Sequence, residues 1–227
     1  MYTYNNNLWY AILVVLAFSF LAQWLVNSTY KKYSKIKAAK GLTAEQVAEK
    51  ILAYHKVQIP IKQTAGQLTD NYDPRTRTLN LSSGVYGADS IAAYGIAAHE
   101  AGHAIQHARA FLPLQLRNNF WPVANFGSNL GPWLFILGLF LQFDLLIDAG
   151  IIFFAFAVLF SLITLPVELD ASRRAVLALS GGRLLTAGEL TGAKKVLSAA
   201  ALTYLAATLM AILEMLRFLA LRNSRRN

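Results

Sequence analysis

The sequence predicts a mainly α, polytopic membrane protein with about four transmembrane helices and a small cytoplasmic α+β region containing a β-hairpin. Three observations predict it. Apolar residues make up 56% of the chain and gather in four blocks, lysines crowd the end of the first block, and short alternating segments flank Asp73-Pro74.

Leu8 to Val26 carries no formal charge and is long enough to cross a bilayer as a helix. No basic segment precedes it and no small-residue cleavage site follows, so it reads as a retained anchor rather than a signal peptide. Lys31, Lys32, Lys35, Lys37 and Lys40 come next, which puts that side in the cytoplasm and the N-terminus outside.

Thr43 and Gln46 form a capping-box pattern opening a helix from Ala44 to His55. Val57 to Thr64, Gln67 to Tyr72 and Arg77 to Ser82 have strand character, and Asp73-Pro74-Arg75-Thr76 is a turn signal that makes the last two a hairpin. With Asp89 or Ser90 as N-cap, a helix then runs from Ile91 to Phe111. Pro122 to Phe143 and Leu145 to Leu165 follow as a helical hairpin, its acidic turn spanning Phe143-Asp144 to Asp148. Pro166 suits the first position of a further helix, and Val196 to Leu216 is the fourth block, closed by Glu214 and Arg217 at pairing distance. The expected organisation is an anchor over 1–29, a cytoplasmic region over 30–121, a transmembrane hairpin over 122–165, a cytoplasmic segment over 166–195, and an apolar helix with a basic tail over 196–227. Arg222, Arg225 and Arg226 break the positive-inside pattern if the fourth block crosses fully, which leaves a crossing or a re-entrant helix.

The net charge of +9 calls for no nucleic acid, because the lysines sit beside a membrane span and no nucleic-acid motif accompanies them. Without cysteine, disulfides and thiolate metal ligands are excluded, leaving His, Glu and Asp.

His99-Glu100-Ala101-Gly102-His103 carries the chemistry. On a helix the two histidines share one face and can hold one Zn²⁺, and Glu100 can serve as general base toward the water that Zn²⁺ acidifies. A shuffled chain of this composition produces the pattern with a probability of roughly 0.002. The alternative, a solvated polar stripe, sits poorly with small Ala101, Gly102 and Ala104, which suit a close approach of backbone and substrate. His107 continues the series, but about 12 Å of helix separates it from His99, so it supports the site from outside the ligand set or is merely exposed. Nor does the spacing follow the metzincin pattern, since position 106 is Gln and position 109 is Arg.

A third ligand must come from elsewhere. Glu168 and Asp170 point about 200° apart on a helix, and Asp170 already has Arg174 one turn on. Glu168, beside an apolar block, is costly to bury unless a cation neutralises it, and is the preferred ligand. Asp70, Asp73 and Asp89 are the remaining candidates. Tyr72, Tyr86, Tyr94, Arg173 and Arg174 are candidate oxyanion donors. The hairpin's edge offers an extended peptide a place to bind by strand addition, or is a plain packing element.

Tyr72-Asp73-Pro74-Arg75 with Leu79-Asn80-Leu81-Ser82, the string from Ala97 to His107, and Glu168-Leu169-Asp170-Ala171-Ser172-Arg173-Arg174-Ala175 together resemble the YugP-like neutral zinc metallopeptidases of bacterial membranes, over nearly the whole chain. The resemblance implies a zincin-like catalytic region, zinc held by His99, His103 and Glu168, Glu100 as catalytic residue, and peptide or membrane-protein substrates at the cytoplasmic face of the bacterial cell membrane. More distantly the layout is similar to the HtpX and CAAX-protease gluzincins. Those place an Asp four residues after the downstream Glu to orient a histidine, whereas position 172 here is Ser, leaving that role to another group or to none. The His-Glu-Ala-Gly-His-Ala string is also similar to FtsH, but no Walker A motif is present. A non-catalytic membrane scaffold that keeps the metal fold is the rival reading, although such a relative would typically lose Glu100. A transporter would need a polar relay, and the spans have almost no ionisable residues.

Overall fold

The computed structural model describes residues 2–226; Met1 of the expected anchor and Asn227 of the expected tail lie outside the described residues. The chain is mainly helical: α1 (Tyr2–Tyr33), α2 (Ala44–Tyr54), β1 (Ile61–Thr64), β2 (Asn71–Asp73), β3 (Thr78–Ser82), α3 (Ile91–Ala108), α4 (Leu112–Phe140), α5 (Asp144–Gly181) and α6 (Ala187–Arg226). Among the described residues, α1, α4, α5 and α6 are long and apolar enough to cross a membrane. No more than 28% of any of their apolar windows is buried within the protein, so most of that surface is left for lipid. Two compact units result: Met1–Ala22 with Pro113–Pro166 and Thr203–Asn227, and Gln23–Leu112 with Val167–Leu202.

In the first unit, small residues let α4 and α5 pack backbone to backbone. A Cβ on Gly131 would meet the Phe154 nitrogen at 2.8 Å, and one on Gly138 the Ile147 nitrogen at 2.6 Å. Phe218 of α6 stacks on Phe135, with centroids 4.1 Å apart, and tilts against Phe154. The expected acidic turn is displaced. Residues 141–143 make the connection, while Asp144 and Asp148 lie inside α5, where carboxylates near a helix N-terminus are favoured by the backbone dipole. These acids answer the charge anomaly at the C-terminus: Arg222 forms a two-pronged pair with Asp148, and Arg225 lies 3.9 Å from Asp144. The arginine-bearing end of α6 therefore lies beside the start of α5, and Glu214 and Arg217 pair as expected. Pro166 opens no new helix, because α5 runs through it unbroken. Proline's fixed φ suits the α region, and long apolar helices tolerate one lost N–H bond.

In the second unit α3 packs against α2 and against β2 and β3 of a three-stranded sheet of order β1-β3-β2. The β2–β3 hairpin forms, closed by Asp73, whose carboxylate accepts from the Arg75 amide (2.9 Å) and the Thr76 hydroxyl (2.8 Å). β1 adds in parallel on the other side of β3, and the strands are shorter than the sequence pattern predicts. β3 is central, and Leu79 and Leu81 sit in the main core with Val47, Ile51, Tyr94 and Leu179. Gln46 accepts from the Thr43 amide at 3.0 Å, and α2 ends at Tyr54 with His55 as its C-cap. Ser90 caps α3, accepting from the Ala93 amide at 3.2 Å, whereas Asp89 pairs with Lys37. α3 stops at Ala108 rather than Phe111, because Ala110 turns into the left-handed region (φ 51°).

Candidate active site

The site lies within the second unit and is made by two helices. His99, Glu100 and His103 lie on α3, and Glu168 lies on α5. The helices meet because Gly102 has no side chain: a Cβ there would stand 2.8 Å from the Ala171 carbonyl oxygen. Gly102 thus admits a neighbouring helix, the close backbone approach that small residues suit, and Ala101 and Ala104 beside it are buried.

Glu168 Oε2 lies 3.2 Å from His99 Nε2 and 3.4 Å from His103 Nε2. Ligand atoms of these three residues fall within 4.8 Å of one another. Glu168 and His103 are buried and His99 is partly exposed, which leaves one open side. Two imidazoles and a carboxylate converging in this way match the donor set of a zinc site with a free position.

The outward nitrogens of both histidines are also engaged. His103 Nδ1 lies 3.0 Å from Gln106 Oε1, while the Gln106 Nε2 donates to the Val167 carbonyl (2.9 Å) and to Asp170 (2.8 Å). Both partners of Nε2 are acceptors, so the amide can face only one way, and its oxygen must accept from His103. His103 therefore donates through Nδ1, which leaves Nε2, on the Glu168 side, as its nitrogen for a metal. Asp170 is held in turn by Arg174 Nε at 2.6 Å, and Arg174 stacks 5.7 Å over the Phe111 ring. On the other histidine, His99 Nδ1 lies 3.1 Å from the Ser172 hydroxyl. Ser172 itself thus stands where the sequence comparison expected a different group or none. Such partners set the tautomer and orientation of metal-binding histidines.

Glu100 is buried beside this cluster. Desolvation pushes its carboxyl up to about 7, with His99 pulling the other way, Glu168 and Asp70 adding to the rise, and the Tyr72 backbone amide opposing it. A dication among the three neighbouring side chains would favour the carboxylate.

The other candidates have separate tasks. Asp70 accepts from the amide (2.7 Å) and hydroxyl (2.9 Å) of Ser82, Asp73 closes the hairpin and Asp89 holds Lys37. His107 is no part of the three-residue cluster, and its Nδ1 lies 2.7 Å from the Tyr72 hydroxyl. Among the candidate oxyanion donors, Tyr94 is spent on the Leu42 carbonyl and Arg174 on Asp170. Tyr86 packs against the core, and Arg173 lines a separate groove. Tyr72 is the one whose backbone touches Glu100. Sequence reasoning missed the parts played by Gln106 and Ser172. The signal was there for Gln106, three residues after His103 on the same helix face.

Comparison with known proteins identifies the family. The family model described as "Putative neutral zinc metallopeptidase" matches residues 8–223. The chain is 45% identical over 207 residues to "Putative membrane protease YugP" of Bacillus subtilis (strain 168), covering 91% of this chain and 92% of that one. No solved structure matches. A paired-histidine helix, a distant glutamate and a match running from the first apolar helix into the last together place the chain in the neutral zinc metallopeptidase family, as a membrane-protease relative.

Proposed function

We propose that this protein is a membrane-embedded zinc metalloendopeptidase that cleaves peptide bonds of membrane proteins or their juxtamembrane segments. The observation that carries the reading is the convergence of His99, His103 and Glu168 beside a buried Glu100. Those three residues would hold Zn²⁺, which when bound supplies Lewis acidity toward water and the scissile carbonyl.

Glu100 is the general base that takes a proton from the attacking water, and it returns that proton to the leaving amine. Gln106 and Ser172 hold the two imidazoles in their ligating orientation. Burial keeps bulk water from Glu100, so its basicity is set by neighbouring charges. Tyr72 belongs to β2, an edge strand of the sheet, and that edge is where an extended substrate would align.

Glu168 lies two residues past Pro166 and three past the apolar block ending at Leu165, so the site belongs near the membrane surface. The lysines after α1 and the basic residues from Arg173 to Lys195 support a cytoplasmic surface, and the Bacillus relative named as a membrane protease supports a bacterial cell membrane.

The test is cleavage of a membrane-protein substrate library by zinc-loaded protein in detergent, wild type against Glu100→Gln. Loss of at least about 10³-fold in kcat with zinc retained supports the reading. Equal cleavage by both proteins contradicts it, and identical cellular effects from the two would favour the scaffold.

A further inference from the structure

Beside Ser172, on the face of α5 turned toward α6, lies a groove of about 320 Å³ that the peptidase reading does not use. Leu169 of α5 and Leu197 and Ala201 of α6 line it toward the apolar blocks, Val176 and Leu177 line it farther along α5, and Arg173 and Lys194 are its cations. Ser172 and Ser198 also line it.

The order along the chain is the informative part. α5 leaves its apolar block at Leu165, reaches Leu169 first and Arg173 one turn later. Residues 182–186 then turn the chain back, and α6 passes Lys194 before its own apolar stretch begins at Val196. On each helix one groove leucine, Leu169 or Leu197, lies nearer the apolar block than the cation does, while Val176 and Leu177 continue the α5 wall beyond Arg173. Arg173 and Lys194 are both exposed, and neither forms an ion pair among the described residues. Asp170, the nearest acid on α5, is already held by Arg174 and Gln106.

We infer that this groove binds one anionic phospholipid of the surrounding membrane, its phosphate between Arg173 and Lys194 and an acyl chain over Leu169, Leu197 and Ala201. Basic pockets between helices at the cytoplasmic surface suit such headgroups. The inference rests on the membrane placement proposed above, but not on peptide cleavage. Because Ser172 lines the groove and also contacts His99, a bound lipid would steady the helix face that carries Glu168 and Ser172.

Native mass spectrometry of the full chain in detergent, titrated with phosphatidylglycerol or phosphatidylcholine, tests this directly. The expected result is retention of one phosphatidylglycerol in preference to phosphatidylcholine. Arg173→Gln with Lys194→Gln should weaken that binding about 30-fold, as two cations near a surface would. Zinc content of the same sample reports whether the fold is intact. If the double variant loses zinc, Arg173→Lys with Lys194→Arg serves instead and should still bind phosphatidylglycerol. Equal retention of both lipids, unchanged binding in the double glutamine variant, or loss of binding in the charge-conserving one overturns the inference. So does displacement by millimolar inorganic phosphate, which would make free phosphate the ligand, and so does loss of binding in Lys35→Gln with Lys37→Gln in place of the groove variant.

Discussion

Gln106 Oε1 lies 3.0 Å from His103 Nδ1, and this contact decides which nitrogen of the histidine is left for a metal. Gln106 is wholly buried, so replacing it with Leu roughly keeps the volume but orphans His103 Nδ1 and leaves Asp170 with Arg174 as its remaining donor. Zinc affinity should fall about 10- to 100-fold, the usual range for losing such a partner, as measured by competition with a chromophoric chelator. An unchanged affinity would reduce Gln106 to a packing residue.

Gly102 sets the distance between the two helices of the site. In Gly102→Val the new side chain meets the Ala171 backbone, which cannot move aside as a flexible side chain would. The expected outcome is a loss of about 1–3 kcal/mol in stability together with weakened zinc retention. Gly181→Ala is the control, because a Cβ there meets nothing within 4 Å and should leave both quantities unchanged.

Glu100 gives a pH dependence to the protein stripped of zinc. Its carboxyl is raised by burial to about 7, above an ordinary value of 4.5, so the folded state holds the proton more tightly than the unfolded chain does. Stability from this group is complete below the ordinary value, declines as pH rises toward about 7, and is level above that. The decline should be on the order of 3 kcal/mol. Glu100→Gln should lack it, and thermal unfolding of both proteins at pH 5 and pH 8.5 in chelator measures the difference.

The Arg222–Asp148 pair predicts topology. It joins the end of α6 to the start of α5, and the expected topology is a full crossing by the fourth apolar helix, with the C-terminus on the same membrane face as the α4–α5 connection. Single cysteines placed at Ser224 and at Gln142 should react alike with an impermeant maleimide on intact cells. Opposite labelling would mean a re-entrant α6.

Much of this was legible in the sequence because its signals are local. The motif histidines, the Ser90 cap, the Asp73 turn and the apolar blocks each declare themselves locally. What was not legible depends on distant partners. Nothing near Gly102 in the chain says that Ala171 will press against it, and Ser172 becomes a histidine partner only once α5 lies on α3. The parallel addition of β1 to β3 escaped for the same reason, since the pattern of a strand does not name its neighbour. Pro166 was misleading because a proline that starts helices in water can sit inside a long apolar one.

The most direct measurement is the zinc content of purified wild type beside Glu168→Ala and Asp170→Ala, by mass spectrometry. The account predicts one zinc per chain in the wild type, loss in Glu168→Ala, and a bound but weakened zinc in Asp170→Ala, which touches the site only through Gln106. A wild type that cannot be loaded with zinc, or a Glu168→Ala protein that binds it as tightly as the wild type, would contradict it.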